Sequence, residues 1–174
     1  MKLLSNAAVI AISLLILGAA LSADNAIAQQ KSLKEQLVGT WTLVSADSVG
    51  KDGSKAEVFG PNPKGTVIYT SDGHFALVQM RSDLPKLASN SRDRGTPEEN
   101  KAVVQGSITY FGTYAVNEAE KVITLQLEGS SFANLVGGAE QKRLITSLTA
   151  DELKFANPRT PSGATLEVCW KRAR

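Results

Sequence analysis

The stretch "EQLVGTWTLVSAD", Glu35 to Asp47, runs a short helical lead straight into an alternating strand. Leu33, Leu37 and Val38 share one face of a helix over 30–38. Ser32, with Glu35 three residues on, makes a capping box, and Gly39 stops the helix. From Trp41 to Ser45 the period drops to two, with Trp41 and Leu43 set against Thr42 and Val44. Trp41 is one of two tryptophans; the other, Trp170, stands near the far end, in "LEVCWKRAR". A chain that carries its two largest rings in its first and last strands is placed to close on itself.

Between those ends the strands come in quick order. Lys51–Ser54 reads as a turn, and "FGPNPKG", Phe59–Gly65, as a loop stiffened by two prolines. "TVIYT", the "SDG" turn at Ser71–Gly73 and "HFALVQMR", His74–Arg81, form a hairpin, with Gly73 free to take positive φ. Ser82–Pro97 is polar and irregular, with a helical turn expected near Leu84–Leu87. Thr96-Pro97-Glu98-Glu99 starts a helix that should run to about Gln105. The strands "ITYFGTYAV", "VITLQLEG", "QKRLITSLT", "ELKFAN" and "GATLEVCWK" follow, separated by turn signals that include the long Gly129–Gly138 loop and "NPRTPSG".

This pattern predicts an all-β fold of eight antiparallel strands in up-and-down order. A short helix precedes the first strand and a helical insertion follows the third. An open meander exposes two strand edges, each a template for aggregation. Pairing the first strand with the last removes both, so a closed barrel is favoured over a sandwich.

Lys2, the apolar run Ala7–Leu21 and the Ala26-Ile27-Ala28 cleavage signal read as a secretory signal peptide over 1–28. The run falls short of the roughly 20 residues that a bilayer span needs. No stable membrane anchor is therefore expected after cleavage, and the expected location is the bacterial periplasm or outside the cell. Residues 29–174 are one domain by length, large enough for a single core.

The formal charge is +2, spread along the chain. Nucleic-acid binding, which calls for a basic stripe, is not expected. Cys169 is the only cysteine, so no internal disulfide forms; it reads as a small buried apolar residue. No paired Cys/His spacing points to zinc or another metal. No phosphate-cradling loop or nucleophile elbow occurs, and no cofactor is expected.

Several motifs, in order, carry a resemblance. They are Gly39-x-Trp41 after a short helix, the Pro-x-x-x-Gly-x-x-x-Tyr of Pro61–Tyr69, the Asp-Gly-x-Phe of Asp72–Phe75, the Gly-Thr-Tyr of Gly112–Tyr114 and Trp170-x-Arg172. With "EGSSFANLVGGAEQKRL", they make the chain similar to the bacterial lipocalin-like domain family across nearly all of the mature sequence. The resemblance implies a calycin-type barrel with an internal cavity. It also implies a structural role for Gly39, Trp41, Trp170 and Arg172 in barrel closure, with Arg172 or Arg143 lying over the Trp41 ring. Two positions depart from the family. Leu125 stands where members often carry histidine, and Ala133 where they tend to carry proline. The first departure weakens any enzymatic reading and favours an apolar cavity.

Alternate residues of a barrel strand face inward. The more apolar parity gives Val67 and Tyr69; Phe75, Leu77 and Gln79; Tyr110, Gly112, Tyr114 and Val116; and Ile123, Leu125 and Leu127. For the third strand the opposite parity (Ala76, Val78, Met80) is nearly as apolar. For the sixth, either Arg143 and Ile145 or Leu144 and Leu148 point in. The candidate ligand-binding residues are thus Tyr69, Phe75, Leu77, Gln79, Tyr110, Tyr114, Leu125 and Arg143. Such an interior suits one small apolar or amphipathic ligand, or else a packed core. His74, beside a turn, reads as exposed, and Arg81 as a surface residue, with a carboxylate anchor at the mouth as its alternative reading.

Three functions compete. The first is an exported binding protein. The second is an isomerase, cyclase or dehydratase of polyketide- or terpenoid-like substrates, with Tyr110, Tyr114 and Arg143 as its polar groups. It ranks lower, because tyrosine is a poor base near neutral pH. The third is an envelope interaction module without a ligand.

Overall fold

In the computed structural model, residues 31–158 and 163–174 are described. The expected signal peptide and most of the "NPRTPSG" turn lie outside them. Helix α1 (Leu33–Leu37) leads into β1 (Gly39–Val49), followed by β2 (Lys55–Glu57), β3 (Lys64–Tyr69) and β4 (His74–Met80). Helix α2 (Pro97–Gly106) then precedes β5 (Ser107–Asn117), β6 (Val122–Ser130), a 3-10 turn (Ala133–Leu135), β7 (Gln141–Leu148), β8 (Glu152–Asn157) and β9 (Thr165–Arg172).

Every pairing is antiparallel. The sheet runs β2-β1-β3-β4-β5-β6-β7-β8-β9, and β1 also pairs with β9. Eight strands thus close an up-and-down barrel, as the sequence predicts. The short β2 is an addition: it pairs with the second half of β1 through Asp47↔Glu57, beyond the part that β3 occupies. The helical turn expected near Leu84–Leu87 does not form.

Closure places Trp41 opposite Arg172 and Leu43 opposite Trp170. Directly opposed residues project to the same face, so the two ends of the chain jointly build the closed end. Both tryptophans are fully buried. The Trp41 indole N–H donates to the Leu37 carbonyl at 2.9 Å, and the Arg172 guanidinium lies 4.0 Å from the centre of its ring. The same guanidinium donates to the carbonyls of Gln36, Val38 and Ala150. One side chain therefore ties the end of α1 to the β7–β8 turn across the plug. Gly39 is required beside it. Its φ is +133°, and a Cβ there would stand 2.7 Å from the Arg172 Nη1.

The helices start as their sequences dictate. Ser32 and Glu35 complete one capping box, and Thr96 and Glu99 the other, with Pro97 in the first turn. The exposed N-terminus of α1 gains a second anchor from Glu118 in the β5–β6 turn, whose carboxylate accepts from Leu33 N at 2.8 Å and Lys34 N at 3.1 Å. Hydrogen bonds from the Ala88 and Thr96 backbones hold the Glu99 carboxyl below its usual range.

Burial settles the two open parities. On β4, Phe75, Leu77 and Gln79 face in; on β7, Arg143 and Ile145 do, and Leu144 is exposed. A one-residue register shift between Ile145 and Ser147 then resets the alternation, so Leu148, three residues after the inward Ile145, also packs against the core.

Candidate functional site

The barrel interior is divided along its axis. At the closed end, rings interlock in sequence. Tyr114 meets Tyr69 edge-on at 5.0 Å, Tyr69 stacks on Phe75 at 6.2 Å, and Phe75 meets Tyr110 edge-on at 6.0 Å. Tyr110 accepts from the Arg143 guanidinium at 3.4 Å. Arg143 lies 5.9 Å from the centre of the Phe155 ring, which in turn leans on Trp170 at 6.4 Å. With Val67, Leu77, Ile123, Leu125 and Leu153 this layer fills the closed half.

Beyond the layer the barrel opens into a cavity of about 950 Å³. Gln79, Tyr110, Arg143 and Asn157 stand at its inner end, each at most 8 % exposed. Phe59, Ile108, Leu135 and Leu166 form apolar wall, and Val103, Val104 and Gln105 of α2 complete it. The mouth carries Val104, Phe132 and Val58, which are 75 %, 47 % and 40 % exposed. The insertion between β4 and β5 thus contributes its helix to the cavity wall, although most of its polar loop does not touch the cavity.

Of the sequence candidates, Gln79, Tyr110 and Arg143 line this cavity. Tyr69, Phe75, Leu77, Tyr114 and Leu125 do not: they face inward as expected, but belong to the packed closed half. The Tyr114 hydroxyl donates to the Thr70 carbonyl at 2.8 Å in the β3–β4 turn, at the closed end. Burial, and secondarily Asp72, push its phenol above the usual tyrosine range. Tyr69 is pushed up further, first by burial and then by Tyr110, while Arg143 pulls the other way. Both phenols therefore remain protonated near neutrality, and Tyr114 cannot join Tyr110 and Arg143 around one substrate.

The remaining polar candidates serve locally. Arg81 makes a paired contact with Asp83 at 2.8 and 2.9 Å on the surface, and His74, exposed at the closed end, faces Asp72 at 3.2 Å. Cys169 is half-buried rather than buried, and desolvation raises its thiol pKa, which disfavours the reactive thiolate. Among the described residues, no group of three or more His, Cys, Asp or Glu side chains is placed to hold a metal ion, and no helix is long and apolar enough to cross a membrane.

Sequence reasoning placed the insertion 82–105 near the open mouth but did not name Val103 and Val104 of α2, nor Phe59, Phe132 and Leu135 between strands, as lining residues. Their signal was present, as apolar side chains in otherwise polar connections, where a solvated segment has no use for them.

Solved structures similar to this chain are remote in sequence. A crystal structure of a lipocalin-like protein from Bacteroides uniformis ATCC 8492 is 14 % identical, with a TM-score of 0.43, over 79 % of this chain and 99 % of that one. An NMR structure of a protein from the same organism is 17 % identical, with a TM-score of 0.42, over 83 % and 94 %. A redesigned β-barrel, mFAP1, bound to DFHBI, is 16 % identical, with a TM-score of 0.40, over 82 % and 100 %. No curated protein matches the sequence. The model of the lipocalin-like domain matches residues 38–173, from the plug to the last strand. With that match spanning the whole closed barrel, the chain belongs to the lipocalin-like domain family.

Proposed function

We infer that this is an exported binding protein that holds a small amphipathic molecule in the open half of its barrel. The observation that carries the reading is the division of the interior. One half is filled by interlocked rings; the other encloses about 950 Å³ with apolar walls and a few polar groups converging at its inner end. That volume lies within the roughly 300–1,000 Å³ of ordinary small-molecule sites. Export is supported by the apolar run Ala7–Leu21 and the Ala26-Ile27-Ala28 signal.

Two measurements test the reading. Protein expressed with its full sequence in a bacterial host should be recovered from the periplasmic fraction with a mass that begins at Gln29; an uncleaved chain in the cytoplasm refutes export. In a thermal-shift titration, medium-chain amphiphiles at about a hundred times their Kd should stabilise the protein by about 2.7 kcal/mol. Ile108→Trp, which fills the cavity from its wall, should fold and abolish the shift. An unshifted parent, or a shift that survives in Ile108→Trp, refutes binding in this cavity.

A further inference from the structure

We propose that the molecule held in this cavity is a monoanionic amphiphile, bound head-inward, with its carboxylate on Arg143, Tyr110 and Gln79 and its apolar tail toward the mouth. This rests on the cavity-binding reading and specifies its ligand class.

Arg143 is 5 % exposed, yet among the described residues its only hydrogen-bond acceptors are the Lys142 carbonyl at 3.0 Å and the Tyr110 hydroxyl at a long 3.4 Å. Among the described residues no carboxylate pairs with it. A guanidinium cannot shed its charge and carries more N–H donors than these two contacts use. Arg172 shows what a structural arginine looks like in the same barrel. It is also set over an aromatic ring, but three backbone carbonyls accept from it. A buried cation without a counter-charge is strongly unfavourable, and an apolar side chain of similar size fills a core better. Arg143 is therefore poorly explained as packing.

Gln79 gives a second, independent indication. It comes from a different strand, is 3 % exposed, lines the same cavity and makes no side-chain hydrogen bond among the described residues. The Arg143 guanidinium, the Gln79 amide and the Tyr110 phenol thus converge at the inner end, beside a second amide, Asn157. Together they offer a single positive charge, on a planar guanidinium fork, and two neutral donors, which matches a carboxylate rather than a dianionic phosphate. Ile108, Leu166, Val104 and Phe132 give the lining beyond them an apolar side, while Gln105, Ser131 and the exposed Glu140 and Lys142 also border the cavity; the buried polar groups are at the inner end, so the tail points outward along the apolar side.

The test compares decanoate with decanol by isothermal titration, in the parent, Arg143→Met and Arg143→Lys. The parent should bind decanoate at least roughly tenfold more tightly than decanol. Arg143→Met should lose roughly ten- to hundredfold in decanoate affinity, keep its decanol affinity and, without ligand, melt no lower than the parent. Arg143→Lys, which keeps the charge but not the fork, should fall between the two. Equal binding of acid and alcohol by the parent overturns the head-group inference and leaves cavity binding standing. So does undiminished decanoate affinity in Arg143→Met. Binding of neither overturns both. If Arg143→Met fails to fold, the acid-to-alcohol ratio in the parent and in Arg143→Lys decides the question.

Discussion

Trp41→Ala is expected to destabilise the domain by about 3–5 kcal/mol, the usual cost of emptying a fully buried aromatic site. The stability of a whole domain is typically about 5–15 kcal/mol, so this one change removes a large share of it. Three losses combine: the ring's buried area, its hydrogen bond to the Leu37 carbonyl and its contact with the Arg172 guanidinium. Urea unfolding, followed by the fluorescence of the remaining Trp170, measures the effect.

The two tryptophans are not equivalent, which gives a sharper comparison. The Trp170 indole N–H is buried without an acceptor among the described residues. Trp170→Phe therefore removes an unsatisfied donor along with some volume, whereas Trp41→Phe removes a made bond. Trp41→Phe should cost at least about 1 kcal/mol more, the net worth of one hydrogen bond. Equal costs would mean that the plug is held by ring size alone.

Gly112→Ala is the second large effect. A Cβ at Gly112 would stand 2.0 Å from the Gln126 carbonyl oxygen and 3.0 Å from the Glu128 nitrogen, both backbone atoms of β6. These cannot swing aside as a side-chain tip can, so the β5–β6 ladder must open at the register shift beside Phe111. Overpacking typically costs about 1–3 kcal/mol, and a backbone obstacle puts this site at the upper end. Gly138→Ala is the control. Its nearest neighbour would be 3.8 Å away, and the change should stay within about 0.5 kcal/mol of neutral. Chemical denaturation of the two variants separates the outcomes; a near-neutral Gly112→Ala would contradict the close approach.

The sequence made the barrel readable because strand period, turn residues and edge closure all pointed to the same ring. It did not reveal β2, since Lys55-Ala56-Glu57 has no apolar alternation, and all three residues are exposed. Except on β4 and β7, where the parity stayed open, it also indicated which side chains face inward, but not how far along the axis each one lies. Tyr69 and Gln79 have the same inward parity. Yet Tyr69 pairs with Gly39 beside the plug, and Gln79 pairs with Gly65 and reaches the cavity. That distinction depends on register across strands, and no single strand encodes it. The same gap explains why Tyr114 looked like a partner for Arg143: both point in, but Tyr114 is held at the β3–β4 turn and Arg143 at the floor of the cavity. The cavity walls from α2 and the β6–β7 loop were hidden for a different reason, since loop placement follows from tertiary packing rather than periodicity.

A crystal structure of the protein soaked in ω-bromodecanoate tests the central claim most directly, because the bromine marks the tail by anomalous scattering. The account predicts a bromine peak at the mouth between Val104 and Phe132, and a carboxylate resting on Arg143. A bromine peak at the inner end, on the outer face near Ile68 and Phe111, or no density inside the barrel would contradict it.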